Sequence, residues 1–200
     1  MAQQTIIGIV LAAGRSTRMG EINKLTKVWR GKALVSHVVE AARSSLLSEV
    51  VVVTGHQSEL VCAQLSETIP AVHNPEYASG MASSLRVGIQ YALENQADAA
   101  MILLGDMPLI TPRDIEALLI AYQENLGETI VQATCLQQPG NPVLFSRSLF
   151  DDLLKLDGDM GARDLIKRHR DHRILVEIGE AAARDFDSPD AFESNSAGEA

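Results

Sequence analysis

Between Ala12 and Lys32 the chain carries six cations, Arg15, Arg18, Lys24, Lys27, Arg30 and Lys32, and one acid, Glu21. That local balance of +5 sits in a chain whose formal charge is −9, which leaves −14 for the remainder. Gly14 and Gly20 fall in the same stretch, directly after an apolar run that begins at Ile6. Glycine lets the main chain approach a ligand closely, so backbone N–H groups and cationic side chains can converge on one anion. The chemistry this predicts is phosphate binding. A solvated basic turn is the alternative that composition alone allows. A basic cluster isolated on an acidic protein suits a small anion, whereas a nucleic-acid face needs a broad basic surface. Gly14 and Gly20 are too far apart for G-x-G-x-x-G, and no Gly-Lys-Ser/Thr follows, so neither a dinucleotide fingerprint nor a Walker loop is present.

A second candidate is Asp106, in Gly105-Asp106-Met107-Pro108, at the end of an apolar run that holds no other charge after Asp98. A carboxylate at a strand end is a natural Mg²⁺ ligand when phosphates supply the other oxygens. The structural alternative is a turn aspartate that caps its own backbone. Near the C-terminus, Asp185-Phe186-Asp187-Ser188-Pro189 supplies a further pair of acids, with an ordinary helix N-cap as the competing reading. His56, His73, His169 and His172 are not at metal-ligand spacing, and no Ser-His-Asp order stands out.

These residues need a scaffold, and its period is legible. Residues 6–11, 49–54, 71–73, 98–104, 128–134 and 173–178 read as strands. Helices are expected over 34–45, 58–67, 81–94, 148–156 and 162–169, with another opened by Thr111-Pro112-Arg113-Asp114, an N-cap followed by proline at N1 and an acid at N3. Residues 28–33 read as a short extended link and 140–145 as a loop entering an extended segment. Strands alternating with helices imply a mostly parallel sheet covered on both faces, with right-handed crossovers. Ligands bind such sheets beyond the carboxyl ends of the strands, where the loops after Leu11 and Leu104 both lie. The fold expected is a single α/β three-layer domain with a mostly parallel sheet over residues 1–193, with 194–200 as a flexible polar tail.

Composition sets the remaining bounds. The chain has 200 residues, 46% hydrophobic but only 4% aromatic, so its core must be built from Val, Ile, Leu and Ala. Net charge argues against nucleic acid or anionic lipid as partner. The first residues have no basic n-region and their apolar run is too short to span a bilayer, so a cytoplasmic location is expected. Cys62 and Cys135 have no C-x-x-C or histidine partner and are read as reduced core residues.

Taken together, LAAGRSTRMGEINKL, VVTGH, NPEYASGMASSLRVGI, ILLGDMPLITP, GNPVLF, GDMGAR and DFDSPDAF resemble the MobA-like NTP transferase family, and most closely its molybdenum cofactor cytidylyltransferases. The resemblance implies a Rossmann-like nucleotidyltransferase fold and transfer of a nucleoside monophosphate from NTP to a phosphorylated pterin-type acceptor, with a possible hand-over to a molybdoenzyme or its chaperone. It implies NTP over residues 11–20, contacted by Leu11, Ala12, Ala13 and Gly14. Arg15, Arg18 and Lys24 would then hold the β- and γ-phosphates, and Mg²⁺ would sit on Asp106. Asp187 is the second metal ligand by the matching motif, with Asp185 as fallback. Ser83 and Ser84 match the segment that borders the nucleobase, although an ordinary helix N-terminus would also place them there. Lys24 stands one residue later than in many relatives and Thr26-Lys27 replace the usual Leu-Leu, which leaves Lys24 and Lys27 both open as the phosphate contact. Ala13 matches the cytidylyl-transferring pattern rather than the Leu-Ala-Gly-Gly of guanylyl-transferring relatives, so CTP is the favoured donor. Asn141, Pro142, Asp159 and Arg163 are the acceptor-pocket candidates. A sugar phosphate or another small phosphomonoester is the alternative acceptor, and a non-catalytic nucleotide or cofactor carrier the alternative class.

Overall fold

The computed structural model describes residues 4–15, 23–125, 129–159 and 161–186. Its strands are β1 (Ile6–Ala12), β2 (Val28–Trp29), β3 (Lys32–Ala33), β4 (Glu49–Thr54), β5 (Ala71–His73), β6 (Ala99–Leu104), β7 (Ile130–Cys135), β8 (Gln138–Ser146) and β9 (Arg173–Glu177). The helices are α1 (Leu34–Arg43), α2 (Ser58–Cys62), α3 (Met81–Glu94), α4 (Pro112–Glu124), α5 (Phe150–Leu154) and α6 (Arg163–Arg168). Among the described residues, seven strands form one sheet in the order β5-β4-β1-β6-β8-β7-β9, and β2 and β3 form a separate hairpin. Every pairing in the large sheet is parallel except those of β8, which runs antiparallel to both β6 and β7. The mostly parallel α/β architecture is therefore the one expected.

Strand periodicity splits the core into two layers. Ile6, Val10 and Ala12 of β1 face α1 and α4, packing with Val35, Val38, Ile115 and Leu118. Ile7 and Ile9 face the other way, toward Leu85 and Ile89 of α3 and Phe150 and Leu153 of α5. Continuous β-branched runs such as Glu49–Thr54 suit a strand buried on both faces. The start of α4 carries the expected capping box: Thr111 Oγ1 accepts from Asp114 N, while Asp114 Oδ2 accepts from Thr111 N at 2.8 Å.

Three expectations need correction here. The helix expected over residues 58–67 ends at Cys62, because the chain tightens into i−3 bonds, Gln64 N to Val61 O and Leu65 N to Cys62 O. In so short a helix Val61 takes the inward position, and Cys62 is exposed rather than in the core; Cys135 is half-buried. Both thiols are free. Residues 140–145, read as a loop entering an extended segment, belong to one nine-residue strand, β8. Of the strand expected from Glu128, the described part is β7; Glu128 itself and the expected tail at 194–200 lie outside the described residues.

The β7–β8 hairpin turns through Leu136 and Gln137, both with positive φ (49° and 65°), in the region that favours glycine. Glu177 at the end of β9 holds this turn: its carboxylate accepts from Leu136 N, Gln137 N, Gly179 N and Thr134 Oγ1. The Gln137 N–H and then the Thr134 hydroxyl are the main reasons its carboxyl lies below the ordinary glutamate value. Among the described residues, no helix is long and apolar enough to cross a membrane.

Candidate active site

Strand order reverses direction at β1, which connects through α1 to β4 on one side and has β6 on the other. The crevice beyond the carboxyl ends of β1 and β6 is thus the topological switch point, where doubly wound sheets bind ligands. Register is fixed there by Leu11 opposite Leu104, and Gly105 N extends the ladder by donating to Leu11 O at 3.0 Å. Asp106 follows at once, so its carboxylate stands on the rim of the sheet. Lys24 Nζ lies 2.5 Å from Asp106 Oδ2, each side chain 15% exposed.

The position of Lys24 is set locally. Asn23, 3% exposed, accepts from Leu25 N through Oδ1 and from Thr26 Oγ1 through its carbonyl. This closes a 3₁₀ turn, Lys24–Thr26, and sends Leu25 into the core and Lys24 into the crevice. Of the two lysines left open by the sequence, Lys24 lines the crevice; Lys27 does not.

Two clefts open from this point. The first, about 490 Å³, is walled by Leu11, Ala13, Gly14 and Arg15 after β1 and by Tyr77, Gly80, Met81 and Ser84 at the start of α3. Ala12 and Ser83 do not line it: Ala12, 1% exposed, packs into the core, and Ser83, 2% exposed, is tied to Asn74 and to Gly80 O. Arg18 lies outside the described residues. Ala13 lies against the end of β4: a methyl on Gly55 would stand 2.8 Å from the Ala13 Cβ. Gly80, at φ +117°, brings the α3 N-terminus onto the loop before α6; a Cβ there would meet the Gly158 carbonyl and Asp159 at 2.5–2.6 Å. Ala82 N donates to Gly158 O, completing that contact. Asp159 consequently lines the first cleft, apart from Asn141 and Arg163, with which the sequence reading grouped it.

The second cleft, about 410 Å³, lies between β8, α6 and the same crevice. Because β8 is reversed, its first residues stand at the ligand edge, which delivers Asn141 to the wall; Arg163 faces it from α6. Pro142 is not part of the lining. The floor is apolar, from Leu85, Ile102, Val143, Phe145 and Ile166. Gln132 completes the wall, its amide donating to Gly140 O and accepting from Arg173. Nothing in its strand context marked it for a site.

Asp185 also lines this cleft. The segment is pinned by Phe186, fully buried against Trp29, Leu34 and Leu109, whose N–H donates to Asp106 O at 3.0 Å. Phe186 meets Trp29 edge-on at 5.2 Å between ring centroids. Asp187 lies outside the described residues. Among the described residues, no three His, Cys, Asp or Glu side chains form a metal cage. The set present still fits Mg²⁺: Asp106 already holds a cation, the Lys24 ammonium, Asp185 shares its cleft, and Mg²⁺ commonly takes one or two carboxylates with substrate phosphates and water.

The sequence also missed Asn74 and Tyr77. Asn74, 1% exposed, hydrogen-bonds both Ser83 and Ser84. Tyr77 roofs the first cleft, with its ring 5.9 Å from that of His56. Both sit in a segment whose turn-forming residues mask any other role.

Residues 8–174 match the model of the MobA-like NTP transferase domain. The Bifunctional protein GlmU of Clostridioides difficile is 31% identical over 152 residues, covering 74% of this chain and 32% of that protein. The GlmU of Lactobacillus delbrueckii is 36% identical over 150 residues, covering 72% and 30%. The chain thus spans about a third of the length of these curated relatives. Among solved structures, the homolog of Mycobacterium tuberculosis rv0371c from Mycobacterium sp. strain JC1 superposes with a TM-score of 0.81 at 25% identity, over 95% of this chain and 94% of that one.

Proposed function

The chain belongs to the MobA-like NTP transferase family, and from that premise we propose that it transfers CMP from CTP to a phosphorylated pterin-type acceptor of the molybdenum–molybdopterin kind, releasing pyrophosphate. The observation that carries this reading is the junction of the clefts. Leu11, Lys24, Met81, Leu104 and Asp106 line both, so two ligands bound in them meet at the Lys24–Asp106 pair. A binding module for one nucleotide has no need of the second cleft.

In this reading the nucleotide occupies the first cleft, with its phosphates toward Arg15 and Lys24 and, from the family motif, Arg18. The acceptor lies in the second cleft, its body on the apolar floor and its phosphate toward Arg163. An acceptor phosphate oxygen attacks the α-phosphorus; the new P–O bond forms as the bond to the β-phosphate oxygen breaks, and pyrophosphate leaves with both electrons of that bond. Such an in-line displacement needs positioning and charge neutralisation, with no covalent intermediate on the protein. Lys24 neutralises the departing pyrophosphate, and Asp106 with Asp187, or Asp185 in its place, would hold Mg²⁺. When bound, that cation would supply further neutralisation at the phosphate oxygens. The apolar floor favours a flat heterocyclic body over a sugar, whose hydroxyls it would leave unpaired.

The test is a pyrophosphate-release screen of the four NTPs against molybdopterin-type and hexose phosphate acceptors. Release that requires both CTP and the pterin acceptor is the expected result. Turnover only with the hexose phosphate would reassign the acceptor, and NTP binding with no turnover on any acceptor would make the protein a carrier.

A further inference from the structure

Among the described residues, five line both clefts, and they are of three kinds. Leu11 and Leu104 are paired at the ends of β1 and β6, Lys24 and Asp106 form the ion pair, and Met81 stands at the first position of α3. Leu11 and Leu104 are half-buried; Met81 is 49% exposed.

The loop before α6 shows where the Met81 side chain lies. Asp159 lines only the first cleft, whereas Gly161, Ala162 and Arg163 line only the second. The loop therefore crosses from one cleft to the other between residues 159 and 161, and Met81 meets it at that crossing. A Cβ on Gly161 would stand 3.1 Å from Met81 Sδ, and Gly161 itself, at φ +55°, is in the region that favours glycine. The root of Met81 is held as well, since the next residue, Ala82, donates its N–H to Gly158 O at 3.1 Å. The thioether thus lies across the boundary of the two clefts, rooted in α3 and resting on the loop before α6.

Water is the competitor at such a boundary. In the proposed transfer the α-phosphorus is open to any oxygen nucleophile. If water attacks, a P–O bond forms to the water oxygen as the bond to the β-phosphate oxygen breaks, a proton is released, and CMP and pyrophosphate replace the nucleotide–acceptor conjugate. Lys24 and a cation on Asp106 neutralise the same phosphate charge in either case, so they favour both nucleophiles alike. Charge does not separate the two; occupied space does. We propose that Met81 is a specificity-determining residue that fills the boundary between bound nucleotide and bound acceptor and so keeps water from the α-phosphorus. A flexible, polarizable thioether suits this task because it adapts to the surfaces of both ligands. The inference rests on the reading of the two clefts as donor and acceptor sites and adds what selects the acceptor over water.

The experiment measures partition rather than rate. Native protein, Met81→Ala and Met81→Leu receive CTP labelled at the α-phosphate, Mg²⁺ and a saturating amount of whichever acceptor, molybdopterin-type or hexose phosphate, supports pyrophosphate release. The label is then divided between CMP and conjugate, and purified conjugate incubated with each protein corrects for breakdown of product. Met81→Ala removes Cγ, Sδ and Cε and leaves room for about one water. The CMP share is expected to be small in the native protein, to rise about tenfold in Met81→Ala, and to return toward the native value in Met81→Leu, which restores the bulk without the sulfur. An unchanged share in folded Met81→Ala overturns the proposal; so does a fall of both products at constant ratio, which is what a merely structural role would give. A share in Met81→Leu as high as in Met81→Ala overturns the role of bulk. If Met81→Ala does not fold, by its thermal melt, Gly161→Ala decides: its Cβ displaces the thioether, and an unchanged CMP share overturns the assignment. A native protein that turns most of its CTP into CMP in the presence of acceptor lacks the barrier altogether, which also overturns it. A protein that transfers to no acceptor overturns the functional reading, and this assignment with it.

Discussion

Lys24 and Asp106 form an ion pair, 2.5 Å from Nζ to Oδ2, at the point shared by both clefts. Each is the counter-charge of the other before any ligand arrives. In the proposed function a triphosphate would compete for the ammonium and a divalent cation for the carboxylate, so the two ligands, arriving together, would separate the pair without stranding either charge.

Asp106→Ala is expected to keep the fold and lower turnover by about two to three orders of magnitude, since an oriented cation stabilises the charge that develops in transfer. Pyrophosphate release at saturating Mg²⁺, with circular dichroism as the folding control, is the measurement. Near-native turnover in a folded variant would remove Asp106 from the mechanism.

Lys24→Met should act in opposite directions on the two ligands. NTP affinity should fall by about 1.5–3 kcal/mol, the worth of a charge-assisted hydrogen bond. Divalent cation affinity in the absence of nucleotide should rise, because the ammonium no longer occupies Asp106. Mn²⁺ titration followed by electron paramagnetic resonance reads the second effect, and weaker Mn²⁺ binding would contradict it.

Ala13→Gly should widen the choice of base. Ala13 lines the first cleft and its Cβ lies against Gly55, so the loop cannot retreat from a purine without the end of β4 moving. One methyl is worth about 1–3 kcal/mol of discrimination, so native kcat/KM should favour CTP over GTP and the variant should recover part of that gap. A native preference for GTP would refute the reading of this loop.

Phe186→Ala removes a fully buried ring and should cost about 3–5 kcal/mol of stability. It should also weaken Mn²⁺ binding, because the buried ring anchors the backbone whose N–H bonds Asp106 O and so keeps the neighbouring Asp185 at the crevice. Phe186→Leu keeps most of the anchor and should restore Mn²⁺ affinity before it restores full stability. Loss of stability with unchanged Mn²⁺ affinity would confine Phe186 to packing.

Glu177 gives the hairpin an acid limit. Its carboxyl is held below the ordinary glutamate value by the N–H of Gln137 and the hydroxyl of Thr134. Its contribution is therefore complete above that ordinary value and is lost as pH falls through the lowered one. Amide exchange at Leu136 and Gln137 should accelerate in that acid window, and in Glu177→Gln the acceleration should be absent because exchange is already fast at neutral pH. Exchange independent of pH in the native protein, once corrected for intrinsic rates, would show that the turn holds itself.

Period and punctuation carried most of the scaffold. Glu49–Thr54 and Met81–Glu94 occur with the boundaries their residues suggest, because a β-branched run and an amphipathic 14-residue stretch each satisfy local and tertiary demands together. Asp106 was legible because a lone charge ending an apolar strand has few other places to be. Strand β8 was harder: Pro142 reads as a loop residue, yet it is accommodated beside a register shift between Gln132 and Thr134 of β7. Cys62 was misplaced because hydrophobicity alone does not say which side of a five-residue helix turns inward. Asn74 was invisible for a different reason. Asn-Pro is a turn signal in any sequence, and its reach to Ser83 and Ser84 exists only once β5 and α3 have come together.

Strand β8 runs against the other six strands of its sheet, and this divides the inheritance of the two half-sites. In the proposed assignment the donor side is assembled from strand exits, the first turn of α3 and Asp159 of the loop before α6. The wall that meets the recipient hangs from a hairpin joined by two residues. A lineage that altered that hairpin would meet new recipients with the same apparatus for activating a nucleotide, so diversification of acceptors need not repeat the invention of the donor chemistry.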